Sequence, residues 1–237
     1  TLTYTGSEQS PTWNSYNPET MTMGGVTKGT DAGSYNATFT PKEGYTWGDG
    51  TNETKTVVWK IGRATIMAVP SQSGALTYTG GAQSPSWSNY DSTKLTLGGT
   101  TSGTAAGNYN ATFTPKENYQ WQDGSVAAKN AAWAIQKAAG TLALSPTSMT
   151  LDASTKSKSI TVTRNSTGAV SATASPSGVV AVSVNGNTVT VTAIKDGNAT
   201  VTVNVAADAN HTAPSAKTCS VKVEMPNIYG VELSLIH

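Results

Sequence analysis

Few side chains in this sequence have the types and spacing that chemistry needs. A nucleophile–base pair requires a serine or cysteine within hydrogen-bond reach of a histidine that a third group orients. The 237 residues contain one cysteine and two histidines. His211 lies in the loop-like stretch 209–214, with Cys219 shortly after it. An exposed loop histidine and a small buried thiol account for that spacing without catalysis. Zinc needs three or four ligands, more than Cys and His supply here. Acids recur instead, as Glu43 and Asp49 and again as Glu117 and Asp123. Glycoside hydrolysis places two carboxylates across a cleft. Both pairs stand beside glycine in turn-like segments, which reads as solvated turn chemistry. No D-x-D-x-D-G loop is present to hold calcium. No catalytic residue, metal or cofactor is therefore expected.

The aromatic residues are the other candidates. Trp47 and Trp121 sit in Y-x-W-x-D-G segments next to turn residues, where an indole could stand out as a stacking platform for sugar. Trp13 and Trp87 follow proline in a second loop-like stretch. Repeated along a chain, such rings could bind glycan multivalently. The simpler reading is that they cap the ends of a sandwich core. The Asn-x-Thr triplets at Asn36, Asn52, Asn110, Asn165, Asn198 and Asn210 are formal glycosylation acceptors that read here as strand and turn residues.

The elements that must position these residues are β-strands. Charged residues make up 12% of the chain and the net charge is +1, which leaves no polybasic nucleic-acid surface. With 23 Gly, 10 Pro and long runs of Thr, Ser, Ala and Val, the chain reads as turn-rich β-structure. No apolar stretch approaches the roughly 20 residues that span a bilayer. A single cysteine allows no internal disulfide. The sequence begins at Thr1 without a signal segment and reads as a piece of a longer polypeptide.

A repeat decides the organisation. Residues 3–13 align with 77–87, and the same offset of 74 carries 32–50 onto 106–124 without a gap. From Leu2–Ala64 against Leu76–Ala138, 35 of 63 positions are identical, and all six tryptophans fall at matched positions. Tyr35, Ala37 and Phe39 alternate with Asn36, Thr38 and Thr40, the period of a strand with one buried face. The β-like run 64–70 precedes the second copy and opens it as a first strand. The first copy should then have its own opening strand ahead of Thr1, and its partner edge is expected to be open or otherwise filled.

From about Thr141 the composition changes: aromatic residues vanish until Tyr229 and the strands are Val, Ile, Ala and Thr. Asn185-Gly186-Asn187 between alternating apolar runs marks a hairpin. About seven short strands in this stretch suggest an immunoglobulin-like sandwich. The expected fold class is all-β, a row of small immunoglobulin-like sandwiches, the first two repeats being readable also as a β-grasp-like variant. The domains are 1–63, 64–137 and 138–225, with 226–237 the stub of a further domain or an artefactual tail. Residues 232–237 look like translated adapter text of metagenomic assemblies.

LSPTSMTLDA, SKSITVTRNSTG and VVAVSVNGNTVTVTAIKDGNATVTVNV, over roughly 138–225, resemble a group-2 bacterial immunoglobulin-like domain. TYTG, GSYNATFTP and the Y-T-W-x-D-G segment resemble the tandem Y-x-G repeats of bacterial surface proteins, and the tail from Pro226 is similar to the start of a domain that follows such repeats in gut bacterial and phage-associated proteins. The resemblance implies an extracellular, cell-surface or virion-surface segment. The expected role is a non-enzymatic stalk or spacer, monomeric as a fragment, whose partners are the neighbouring domains of its own chain and which presents a distal adhesive module. The alternative is a carbohydrate-binding adhesin module that meets cell-surface glycan or a host surface through Trp47, Trp121, Trp13 and Trp87.

Overall fold

A computed structural model describes residues 1–225. The stub or tail expected at 226–237 lies outside the described residues. Among the described residues there are twenty strands and no helix, and the fold is all-β. Among the described residues no helix is long and apolar enough to cross a membrane.

Copy 1 contains β1 (Leu2–Thr3), β2 (Met21–Gly25), β3 (Gly33–Pro41) and β4 (Lys55–Gly62). They form one sheet in the order β1-β4-β3-β2, with β1 parallel to β4 and the other pairs antiparallel. Alternation along β3 and β4 turns Ala37, Phe39, Trp59 and Ile61 into the core. Register sets Tyr35 opposite Trp59, and their rings stack at 4.6 Å. The Trp59 indole N–H donates to the Val26 carbonyl at 2.7 Å, so the large ring is buried with its polar group satisfied. Gly29 lies against the Tyr35 ring, where a Cβ would come within 2.6 Å of it.

Between the copies run β5 (Ala64–Ile66) and β6 (Ser71–Ser73). Copy 2 then forms β7 (Leu76–Thr77), β8 (Ser86–Ser88), β9 (Leu95–Gly99), β10 (Gly107–Pro115), β11 (Tyr119–Trp121) and β12 (Lys129–Gln136). Its main sheet, β7-β12-β10-β9, repeats the order of copy 1. Among the described residues no second four-stranded sheet faces it. Two-stranded ribbons are added instead, β5 parallel to β11 and β6 antiparallel to β8. Ile66, Val69 and Trp87 pack on Leu95, Phe113, Trp121 and Ala131.

The third module has β13 (Leu142–Ser145), β14 (Ser148–Asp152), β15 (Ser157–Arg164), β16 (Val170–Ser175), β17 (Val180–Asn185), β18 (Thr188–Ala193), β19 (Gly197–Val205) and β20 (Lys217–Glu224). Two four-stranded sheets, β13-β15-β18-β17 and β14-β20-β19-β16, share one aliphatic core centred on Leu151, Ile160, Val189, Val191, Val201 and Val203. Consecutive strands β13 and β14 join opposite sheets and so tie together the two halves of an immunoglobulin-like sandwich. β17 turns into β18 at Gly186-Asn187, with Gly186 at φ +58°.

The chain parts into two compact units, and the parting runs through copy 2. One unit holds 1–74, 84–103 and 108–133; the other holds 75–83, 104–107 and everything from 134. Each passage from one module to the next therefore lies inside a unit.

Candidate functional site

The Y-x-W-x-D-G segments are turns locked by their own side chains. Asp49 accepts the Thr51 amide at 3.0 Å and its hydroxyl at 2.6 Å, while Lys55 donates to the other carboxylate oxygen at 2.7 Å. Asp123 repeats the set with Ser125 and Lys129. The lysine hydrogen bond, followed by the hydroxyl, holds each carboxyl well below the usual carboxylate range. Each lysine also stands over the neighbouring indole, Lys55 at 5.1 Å from Trp47 and Lys129 at 5.3 Å from Trp121. The indole N–H groups donate to the carbonyls of Glu53 and Ala127. These acids are committed to turn geometry, and Glu43 and Glu117 are exposed beside them.

The four tryptophans singled out for glycan are unequally placed. Trp121 is 1% exposed, covered by the strand that carries Ile66, and a buried ring offers no face to a sugar. Trp13 and Trp87 are half-buried and meet Phe39 and Phe113 edge-on at 5.0 Å. Trp47 is half-buried and packs on the copy-1 core.

His211 and Cys219 do not form a pair. Cys219 is fully buried in the third core, where burial pushes its thiol up from the ordinary value. His211 turns instead to Asp208, with Nδ1 3.2 Å from both carboxylate oxygens and the two side chains 15% and 12% exposed. Asp208 also accepts the amides of Thr167, Asn210 and His211. The Thr167 amide contributes most to holding this carboxyl well below its usual range. Among the described residues no three His, Cys, Asp or Glu side chains gather as metal ligands.

The arrangement that does recur is at the junctions, where sequence reading found no site. At the first, the Ala64 amide of the linker donates to the Asn118 carbonyl at 2.9 Å, and the Asn118 side-chain oxygen accepts the Ala32 amide at 2.8 Å. Asn118 Nδ2 donates to Asp31, and Arg63 Nε donates to the Glu117 carbonyl at 2.8 Å. Tyr4 meets Tyr119 edge-on at 5.5 Å.

Seventy-four positions on, the same donors meet a module of different fold. The Ala138 amide donates to the Asn210 carbonyl at 2.9 Å, and the Asn210 side-chain oxygen accepts the Ala106 amide at 2.9 Å. Lys137 Nζ donates to the Asp208 carbonyl at 2.6 Å, and Tyr78 meets His211 edge-on at 5.3 Å. Ala64 pairs in parallel with Tyr119, and Ala138 bridges His211 in the same sense. Asn118 and Asn210 thus occupy one role, as do Tyr119 and His211. The Asp208 turn is what presents Asn210 and His211. A signal for this was available: within T-P-K-E-x-Y-x-W the copies differ at Gly44 and Asn118.

No family model and no curated protein matches this sequence. Among solved structures, domains 4 and 5 of the S-layer protein SbsC are similar at 15% identity and a TM-score of 0.32, over 65% of this chain and 98% of that one. The fibronectin(III)-like modules of Clostridium thermocellum CbhA give 14% and 0.28, over 70% of this chain and 95% of theirs. Extracellular domains 3–5 of Drosophila OTK give 9% and 0.34, over 83% and 72%. Scores this low carry no function across, and the fold rests on the sheets themselves.

Proposed function

We propose that this chain is a non-enzymatic spacer of a modular surface protein, bacterial or phage-borne, that works outside the cell and holds a more distal adhesive or binding module in place. The observation that carries the reading is the repeated junction. A linker with no contacts lets successive modules swing freely, because small polar interfaces within a chain permit motion by default. Here each linker is bonded on both sides of the alanine that begins it, and one donor set on the repeat grips two differently built followers. Such a grip has a use where relative position must be transmitted. The resemblance of residues 138–225 to bacterial immunoglobulin-like domains of group 2 supports the same setting.

The carbohydrate-binding alternative has less to rest on, since Trp121 is buried and Trp87 is edge-packed in copy 2. A paired experiment tests the spacer reading. Limited proteolysis should leave 62–65 and 136–141 uncut while the chain stays folded, and a glycan array should leave tryptophan emission unchanged. Ready cleavage at the linkers, or saturable glycan binding lost in Trp13→Ala/Trp47→Ala, would overturn it.

A further inference from the structure

Copies 1 and 2 share most of their residues but are not equally covered. In copy 2 the segment 64–73 lies on the sheet as two short strands. β5 sets Ala64 opposite Tyr119 and Ile66 opposite Trp121, and β6 sets Gln72 opposite Trp87. Ile66 and Val69 pack on the core, and Pro70 is buried. Under this cover Leu95 is 1% and Ala131 6% exposed.

The matched parts of copy 1 are bare. Residues 45–47 and 12–14 belong to no strand, whereas their counterparts 119–121 and 86–88 do. Tyr45 is 49% exposed and Val57, the counterpart of Ala131, 42%. Beside Val57 lies a groove of about 280 Å³ lined chiefly by Trp13, Tyr16, Met21, Phe39, Trp47 and Val57. Lys55 reaches it too, with its charge already paired to Asp49. An apolar groove bordered by two strand-free stretches, with no unpaired charge on it, suits an extended uncharged segment better than a polar sugar.

We propose that this groove is the acceptor for an added β-strand of the kind residues 64–73 provide: uncharged, with aliphatic side chains three positions apart and proline directly after the second, contributed by a neighbouring module of the same polypeptide. Backbone bonds along 45–47 and 12–14 would supply affinity, and the aliphatic side chains would set register in the space that Ile66 and Val69 fill in copy 2. The inference is separate from the spacer reading, which concerns the linkers.

The test is the full chain carrying a second copy of residues 63–74 directly ahead of Thr1. Spacing is then preserved, because Thr1 is the counterpart of Ala75. The Tyr45 and Trp47 amides already donate to Lys42 and Thr51, so the amide that reports is that of Thr46: its exchange should slow by about tenfold or more, Trp47 emission should shift to the blue, and 119–121 should be unaffected. The same extension bearing Ile66→Asp and Val69→Asp in the added copy should leave Thr46 at the unextended rate. Unchanged exchange in the first variant, or equal protection in the second, would overturn the proposal. So would soluble oligosaccharides that quench Trp13 and Trp47 equally well with and without the extension. Linker proteolysis in the unextended chain reports on the spacer reading independently.

Discussion

The Asn210 side chain accepts the backbone amide of Ala106 at 2.9 Å across 104 residues of chain, repeating the bond that Asn118 makes with Ala32. A repeat and an immunoglobulin-like sandwich have little in common as folds. They nonetheless meet their predecessor through an asparagine followed by an aromatic or imidazole ring.

Removing that asparagine should uncouple a junction without unfolding either module. Asn118→Ala leaves the Ala32 amide without its acceptor, at a cost of about 1 kcal/mol. Exchange at Ala32 and Ala64 should quicken while core amides such as Phe39 hold. Asn118→Asp should be worse at neutral pH, because it faces the Asp31 carboxylate. Hydrogen exchange with mass spectrometry reads both effects.

The second junction should loosen in acid. The Asp208 carboxyl is depressed below its ordinary value of 3.8, so its stabilisation is complete above that value and fades as the pH falls toward the folded-state value. The protection of the Thr167 and His211 amides, taken relative to the intrinsic exchange rate at each pH, should therefore fall below about pH 4. In Asp208→Asn these amides should be less protected at pH 6, and their protection should change little on acidification.

Glycine at position 103 should be irreplaceable, since an added Cβ would lie 2.5 Å from the Tyr109 ring, which stacks on Trp133 at 4.4 Å. Gly103→Ala must displace the ring and should cost about 1–3 kcal/mol in thermal unfolding. Gly107→Ala, which meets nothing within 4 Å, is the control and should stay near wild type.

Cys219 should be inert to thiol reagents in the folded chain, because it is fully buried and burial disfavours the thiolate. A chromogenic disulfide should react only after denaturant is added. Cys219→Ser puts a hydroxyl among Val201, Val221 and their neighbours and should cost about 1–3 kcal/mol.

How far these features could be read from residues alone depended on whether they were local. The alternation of Tyr35, Ala37 and Phe39 gives β3 and its buried face, and Asn185-Gly186-Asn187 gives the β17–β18 turn, because strand period and turn chemistry lie within a few positions. What covers a buried face is not local. Trp47 and Trp121 stand in the same Y-x-W-x-D-G pattern, and it is Ile66 and Val69, some fifty positions from Trp121, that cover one and not the other. The junctions were hidden for the same reason, since Asn118 acts 86 residues from its partner and looks like any loop asparagine. His211 stands near Cys219 in sequence, yet the packing of the sandwich sends the thiol inward and the imidazole to Asp208.

The central claim is that each junction holds its two sides in one fixed arrangement. Pulsed dipolar spectroscopy tests it on the full chain, with spin labels at exposed Glu19 and Ser92 for the first junction and at Thr104 and Ser177 for the second; buried Cys219 stays unlabelled. Each pair should give a single narrow distance distribution that broadens in Asn118→Ala or Asn210→Ala respectively. Broad distributions in the unmodified chain, no different from those of the alanine variants, would contradict the account.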